Sequence, residues 1–228
     1  MLELNKIYNT DCLEFMRSMP DNCVDLVVTD PPYLIDYKSG FRKDKTHDFA
    51  STIQNDDNPD LIREYIKECY RIMKQNTAMY MFCSQDKNDF FKKELEKYFN
   101  IKNQIIWVKN NHTAGDLTSQ FGKAYEIIFL VNKGEAPFVG KRLTDVWHCD
   151  RIVGNRQKHQ NQKPINLIKQ CLLKHSLDGD IVFDGFMGSG TTAVACKELN
   201  RNFIGCEIEA KYCEIAEKRL RKTIRGLL

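Results

Sequence analysis

A strand, a glycine-rich turn and a helix follow one another near the carboxyl end of the chain. The pattern predicts a strand at 180–183, a turn with three glycines at 184–190, and a helix at 191–199. A second apolar run, 202–208, predicts the next strand. Two strands joined through a helix run parallel, because the connection has to cross back over the sheet. This passage restricts the chain to folds with a parallel sheet.

The same alternation of strands and helices extends through most of the sequence. Further strands are expected at 24–30, 78–83, 104–108 and 125–131, and helices at 59–74, 88–99, 164–175 and 209–221, with a short helix inside 9–16. We therefore predict an α/β fold with a doubly wound, mostly parallel sheet covered on both faces. The 228 residues, 42% of them hydrophobic, suit a single domain over 1–228.

The strand predicted at 24–30 leads into Asp30-Pro31-Pro32-Tyr33. Ligands bind at the carboxyl ends of strands in open α/β sheets. The two prolines stiffen the backbone and lack N–H groups, so their carbonyl oxygens remain available as acceptors. With a carboxylate and an aromatic ring beside them, they suit a flat heterocycle that carries an amino group. An ordinary stiff turn explains the tetrapeptide equally well when it is considered alone.

The glycine turn predicts a second binding site. Gly188, Gly190 and Ala193 match the spacing of a dinucleotide-binding turn, and Glu207 at the end of the next strand is placed to hold ribose hydroxyls. A carboxylate at Asp184 would repel an approaching pyrophosphate. S-adenosylmethionine carries an ammonium, a sulfonium and a ribose but no phosphate, so it suits these carboxylates better than NAD. A tight turn without a ligand is the remaining alternative.

Basic residues concentrate in the middle of the chain, although the net charge is only +3. Residues 101–163 carry ten Lys or Arg against five Asp or Glu. Residues 34–57 form a long polar stretch, which we expect to be a mobile loop beside Asp30. Both regions are candidates for binding a polyanion, and a solvated surface is the alternative.

The cysteines and the apolar runs exclude several classes of protein. The nine cysteines form no Cys-x-x-Cys pair and lie mostly in apolar segments, which predicts reduced, buried thiols. The spacing of His148, Cys149 and His159 fits no zinc finger, so we expect no metal site. We find no secretory signal and no apolar run near the ~20 residues that cross a bilayer. We expect a cytoplasmic protein without membrane association.

Taken in order, the motifs resemble those of amino-group DNA methyltransferases of the β arrangement. That family has an Asp/Ser-Pro-Pro-Tyr platform near the amino end, a Phe-x-Gly-x-Gly cofactor loop near the carboxyl end, and a target-recognition region between them. The corresponding segments here are 30–33, 186–190 and 110–160. The likeness also includes 9–13, 107–109, 162–164 and 203–207. It implies the methyltransferase sheet with one antiparallel edge strand and a small recognition insertion.

The resemblance implies a role for each matching residue. Asp30 and the Pro31 carbonyl would accept hydrogen bonds from the target amino group, on a platform completed by Pro32, and Tyr33 would stack on the base. The residues implied to hold S-adenosylmethionine are Asp11, Cys12, Asp30, Lys163, Asp184, Phe186, Gly188, Ser189, Gly190, Thr191 and Glu207. The candidate DNA contacts are Lys38, Arg42, Lys43, Lys45, Lys109, Lys123, Lys141, Arg142, Arg151 and Arg156.

Two segments depart from the family pattern. The family usually has proline after the loop aspartate, where this chain has Gly185. It often has His-Pro-Thr-Gln-Lys-Pro, where residues 159–164 read His-Gln-Asn-Gln-Lys-Pro. Both changes leave the polar groups in place, so they bear on loop rigidity more than on ligand identity.

The activity expected from this resemblance is methyl transfer from S-adenosylmethionine to the exocyclic amino group of adenine in a short DNA sequence. The target base would have to be flipped out of the duplex. Cytosine is the alternative base, because family members with Ser in place of Asp at the first platform position mostly act on cytosine. A NAD-type oxidoreductase or a non-catalytic nucleotide-binding module is the alternative of a different class. Double-stranded DNA is the expected partner; single-stranded DNA, RNA, a restriction endonuclease and a second copy of the chain stay open.

Overall fold

A computed structural model of the protein describes residues 3–35, 56–112, 118–152 and 162–226. Its strands are β1 (Lys6–Asn9), β2 (Val24–Thr29), β3 (Met73–Cys83), β4 (Asn100–Val108), β5 (Tyr125–Lys133), β6 (Val146–His148), β7 (Ile181–Asp184) and β8 (Asn202–Glu207). Its helices are α1 (Cys12–Ser18), α2 (Pro59–Ile72), α3 (Asn88–Leu95), α4 (Ile165–His175), α5 (Thr191–Glu198) and α6 (Ala210–Lys222), with a 3-10 turn at Gln85–Lys87.

The eight strands of this part of the chain form one sheet in the order β1-β8-β7-β2-β3-β5-β4-β6. Neighbouring strands in it are parallel except where β5 pairs with β3 and with β4. The predicted mostly parallel, doubly wound sheet is therefore confirmed. The prediction that the antiparallel strand lies at the edge is wrong. β4 and the short β6 extend the sheet beyond β5, which is the single antiparallel strand.

The two edge strands, β1 and β6, are missing from the sequence prediction. They contain four and three residues, which is too short for a period of two to be recognised. Trp147 of β6 packs against the ring of Tyr80, and only 6% of its surface is exposed. Trp147 therefore belongs to the core.

Each face of the sheet carries its own apolar layer. In β2, Val24 and Val27 pack on the side of α1, α2 and α3, whereas Leu26 and Val28 face α4, α5 and α6. Such residues, fully removed from water, each contribute about 1.5–3 kcal/mol relative to an exposed position. All nine cysteines are free thiols and seven of them are buried, as predicted.

The register of the strands brings the candidate residues to one edge of the sheet. Val27 of β2 lies opposite Phe183 of β7, so Asp30 and Asp184 follow the same end of adjacent strands. On the other side of β7, β8 ends level with β1, where Glu207 pairs with Asn9. The carboxyl ends of β1, β2, β7 and β8 thus form one rim.

Two findings concern membranes and metals. None of the helices in the described ranges combines the length and the apolar content that crossing a bilayer requires. The same ranges contain no group of three or more His, Cys, Asp or Glu side chains arranged to hold a metal ion.

Candidate active site

Asp30 follows β2, and two side chains hold its carboxylate. The ammonium of Lys163 donates to Oδ2 over 2.6 Å, and the hydroxyl of Tyr33 donates to Oδ1 over 2.6 Å. The Lys163 ammonium also lies 3.0 Å from the Tyr33 hydroxyl oxygen. The structure therefore brings together three predicted residues, one of which lies 133 positions away from the first.

Glu126 at the start of β5 joins this group and is missing from the sequence prediction. Its Oε2 accepts from the Tyr33 hydroxyl over 2.9 Å and lies 3.3 Å from the Lys163 ammonium. Its Oε1 lies 2.6 Å from the ammonium of Lys109. The one available signal is a charged residue at the start of an apolar strand. We call Asp30, Tyr33, Lys109, Glu126 and Lys163 the charge cluster.

Burial and ion pairing set the protonation states in the charge cluster. Burial raises the pKa of Asp30, and the Lys163 ammonium acts against that rise. Burial also disfavours ionisation of Glu126, but Lys163 and Lys109 outweigh it and lower the pKa of Glu126 to about 2. Burial disfavours the charged form of Lys163 too, yet the two carboxylates raise its pKa. Two carboxylates therefore face two ammonium groups in a poorly hydrated space.

The chain leaves the platform through a strained turn. Pro31 and Pro32 are buried, and Leu34 adopts a φ of +59°, a left-handed conformation that is uncommon for a bulky residue. The N–H of Leu34 donates to Oδ1 of Asp56 over 2.9 Å, which holds the turn in place. Such strain costs on the order of 1–3 kcal/mol and is concentrated at functional sites.

Asp184 organises the glycine turn. Its Oδ1 accepts from the Phe186 N–H over 3.1 Å, and its Oδ2 accepts from the Thr192 hydroxyl over 2.7 Å. Burial raises the pKa of Asp184 to about 7, although the same two hydrogen bonds favour the ionised form. Both oxygens thus serve the turn itself, and a contact between Asp184 and a cationic ligand stays a prediction. Thr192 is a partner that the sequence pattern does not identify.

Two of the three glycines of the turn have backbone conformations that favour glycine. Gly188 has a φ of +52° and Gly190 a φ of +81°, both in the left-handed region that favours glycine. A Cβ atom on Gly190 would lie 2.6 Å from that of Ala216 in α6. The Gly188 N–H donates to Oε2 of Glu207 over 2.8 Å, so the turn and the end of β8 are joined.

The start of α1 completes this part of the rim. Asp11 caps the helix, accepting from the N–H groups of Leu13 and Glu14 at 2.9 and 3.0 Å. The Thr10 N–H donates to the carbonyl of Glu207 over 3.2 Å, which places the helix start beside β8. Asp11, Cys12 and Glu207 are therefore neighbours, as a shared nucleoside pocket requires.

Tyr65 of α2 joins the platform strand to the glycine turn, and the sequence pattern does not identify it. Its hydroxyl oxygen lies 2.8 Å from the Thr29 hydroxyl and accepts from the Gly185 N–H over 3.1 Å. A Cβ atom on Gly185 would lie 2.5 Å from the Tyr65 ring. This contact explains why the chain has glycine where the resembling family has proline, because proline has no N–H to donate.

The candidate DNA contacts differ in where they lie. The Lys109 side chain is only 10% exposed and is paired with Glu126, so it does not fit the predicted contact with phosphate. Lys123 is paired with Asp86, and Arg151 is half-buried. Lys141 and Arg142 are exposed. The remaining candidates, Lys38, Arg42, Lys43, Lys45 and Arg156, lie outside the described residues.

The predicted segments fall partly outside the described residues. Residues 36–55 of the loop predicted at 34–57 are not among them. Residues 113–117 and 153–160 of the predicted recognition region, 110–160, are also outside. The described part of that region contributes β5 and β6 to the main sheet.

Comparisons with known proteins agree with this geometry. A family model described as DNA methylase, N6_N4_Mtase, matches residues 24–218. The type II methyltransferase M.HinfI of Haemophilus influenzae is 29% identical over 96% of this chain and 69% of its own length. The DNA adenine methyltransferase YhdJ of Escherichia coli (strain K12) is 29% identical over 96% of this chain and 83% of its own length.

A solved structure shows the same fold. The crystal structure of the M1.HpyAVI–SAM complex superposes with a TM-score of 0.72 at 31% identity, over 94% of this chain and 98% of that chain. Gly185 and Gly190, which have no room for a side chain, and the carboxylate of Glu207 fit S-adenosylmethionine, whose nucleoside requires close backbone approach and acceptors for its ribose. This chain belongs to the N6_N4_Mtase family of DNA methylases, the amino-group methyltransferases that use S-adenosylmethionine.

Proposed function

We propose that this protein methylates the exocyclic amino group of adenine within a short, specific DNA sequence. The observation that carries the proposal is the carboxylate of Asp30, mostly buried and paired with Lys163, on the rim it shares with the glycine turn. Adenine is supported by the aspartate at the first platform position and by a relative named as a DNA adenine methyltransferase. Cytosine is the alternative, because the family name covers both amines.

Asp30 makes the amine a better nucleophile. The lone pair of an adenine amino nitrogen is delocalised into the ring, so the group attacks poorly by itself. An acceptor at Asp30 and a second one at the Pro31 carbonyl favour a pyramidal nitrogen with an available lone pair. S-adenosylmethionine supplies an electrophilic methyl group on a sulfonium. The Asp30 carboxylate places negative charge where the amine becomes positive, which lowers the barrier.

The carboxylate of Asp30 has room for the substrate. Its two oxygens each accept one hydrogen bond from the protein, from Tyr33 and from Lys163. An ionised carboxylate offers about four acceptor positions, so a further N–H donor can be accommodated. A pKa raised by burial also suits a group that takes a proton from the methylated amine.

Tyr33 is assigned to the base. Its hydroxyl is fixed by Asp30 and Glu126, so its ring is held in a defined orientation at the platform. Stacking of a base on an aromatic ring contributes about 1–3 kcal/mol. This offsets part of the cost of a few kcal/mol for flipping the base out of the duplex.

The methyl donor is assigned to the rest of the rim. The glycine turn, with Phe186 and residues 188–191, frames the methionine part, and Glu207 holds the ribose. Asp11 and Cys12 are assigned to the adenine ring of the cofactor. The support for these assignments is that the residues meet at one edge of the sheet although they come from both ends of the chain.

The protein's setting follows from the same proposal. Lys141 and Arg142 are exposed basic side chains that suit contacts with the phosphates of double-stranded DNA. M.HinfI is named a type II methyltransferase, and we infer a place in a restriction–modification system, in the cytoplasm.

The direct test is to incubate the protein with labelled S-adenosylmethionine and unmethylated DNA and to identify the modified nucleoside and its sequence context. N6-methyladenine in one short sequence is the expected product. N4-methylcytosine would overturn the choice of base, and no label in DNA would overturn the activity. The Asp30→Ala variant should lose methyl transfer while still binding S-adenosylmethionine, measured by calorimetry.

A further inference from the structure

We propose that Glu126 is a positioning residue for the reaction: it shares Lys163 and Tyr33 with Asp30, so that the Asp30 carboxylate stays a strong acceptor for the target amine. This inference rests on the role proposed for Asp30. Glu126 acts through the two side chains that it shares with Asp30, those of Tyr33 and Lys163.

The geometry shows a competition for two donors. The Lys163 ammonium lies 2.6 Å from Asp30 and 3.3 Å from Glu126. The Tyr33 hydroxyl oxygen lies 2.6 Å from Asp30 and 2.9 Å from Glu126. A hydroxyl has one proton, so it donates to one carboxylate at a time. If Glu126 could not accept, both donors would be committed fully to Asp30, and its carboxylate would be a weaker acceptor for the target amine.

The charges point to the same role. Asp30 and Glu126 face Lys109 and Lys163, so the charge cluster is balanced. Neutralising Glu126 would leave one excess positive charge beside the place where the target amine becomes positive. At short range in a poorly hydrated site this repulsion is stronger than it would be in water. Among the described residues, Glu126 is the one carboxylate paired with Lys109. Removing the charges of both residues therefore restores the balance.

A merely structural contact would not require this arrangement. Buried ion pairs are often no more stabilising than apolar side chains of the same size, because desolvation offsets their attraction. Four charged groups beside the platform strand therefore add little stability for their number. The cluster acts instead on Asp30, whose carboxylate Tyr33 and Lys163 contact directly.

The test compares three variants with the wild type: Glu126→Gln, Lys109→Met, and the two together. We expect Glu126→Gln to lower kcat at least tenfold and to leave KM for S-adenosylmethionine within twofold. The double variant should recover most of the lost kcat, because it restores the charge balance. Glu94→Gln is the matched control, since Glu94 is also mostly buried and paired with two cations, Arg63 and Lys97, away from the site. It should retain full kcat.

A pH profile separates this role from a structural one. Glu126→Gln removes a negative charge near Asp30, and in the described part of the chain Asp30 is then the one carboxylate paired with Lys163. Both changes lower the pKa of Asp30, so the acid limb of the kcat profile should move to lower pH. The Cys83 thiol also faces both carboxylates, and burial raises its pKa, so it stays neutral across the range. If Glu126→Gln fails to fold, Glu126→Asp keeps the charge and should keep the wild-type profile.

The outcomes are distinct. Unchanged kcat and an unmoved acid limb in Glu126→Gln would overturn the inference. Equal losses in the single and double variants would overturn the charge-balance argument, as would a shifted profile in Glu126→Asp. Failure of the wild type to methylate any nucleic acid would instead overturn the proposed function, and it would be seen before any variant is made.

Discussion

Replacement of Tyr65 by phenylalanine should loosen the connection between the platform and the glycine turn. The substitution keeps the ring and removes only the hydroxyl, which pairs with Thr29 and accepts from the Gly185 N–H. Thr29 is 1% exposed and Gly185 is buried, so water cannot replace the lost partner without entering the core.

The size of the effect follows from these two bonds. A buried N–H left without an acceptor costs about 1–3 kcal/mol, and loss of the second hydrogen bond costs about 1 kcal/mol more. The expected total is about 2–4 kcal/mol. For a domain of this size each kcal/mol lowers Tm by roughly 2–4 °C, so the melting temperature should fall by about 4–16 °C.

The measurement is thermal unfolding followed by calorimetry, with urea unfolding to give the free energy directly. Tyr98→Phe is the matched control, because Tyr98 is 39% exposed. It should change the free energy of unfolding by less than about 0.5 kcal/mol. A Tm for Tyr65→Phe within 1 °C of the wild type would refute the assignment of Tyr65 as a bridge.

Three further outcomes are expected. Burial gives Asp184 a pKa of about 7, above its unfolded value, so its stabilising contribution is present below about pH 4 and is lost as the pH rises through 7. The free energy of unfolding of Asp184→Asn, measured with urea, should therefore rise by a few kcal/mol relative to that of the wild type between pH 4 and pH 8. A difference that does not depend on pH would contradict this. Gly190→Ala should cost about 2–4 kcal/mol, because it combines left-handed strain with a clash against Ala216. Gly179→Ala, with the same strain and open space around it, should cost only about 1–2 kcal/mol, and equal losses would speak against the clash. S-adenosylmethionine at 100 times its Kd should stabilise the fold by about 2.7 kcal/mol, whereas a comparable shift with NAD would contradict the cofactor assignment.

The sequence is sufficient to place the residues that local patterns mark. Asp30, Asp184 and Glu207 each follow an apolar run and precede a turn or a helix, so both their position at strand ends and their common rim can be predicted. Gly188 and Gly190 are found for the same reason. In each case the signal extends over fewer than ten neighbouring residues.

The residues that complete the site depend on contacts between distant parts of the chain. Glu126 meets Tyr33 across 93 positions, and Tyr65 meets Gly185 across 120. No local period reports such a pairing. Strand order is likewise set by packing of the whole sheet, so the interior position of β5 is not available from its own sequence. Lys109 points inward because it pairs with Glu126, a residue that no local pattern in the sequence marks.

The direction of β5 changes which part of the chain reaches the ligand rim. In the parallel strands the chain arrives at the rim as it leaves the sheet, but in β5 it arrives as it enters. Residue 126 is therefore separated from the surface segment 118–124 by a single residue, Tyr125. A partner bound to this segment, where Lys123 is paired with Asp86, would act on the same strand end that holds Glu126. Binding of DNA to this segment would then be coupled, through Glu126, to the hydrogen bonding of Asp30.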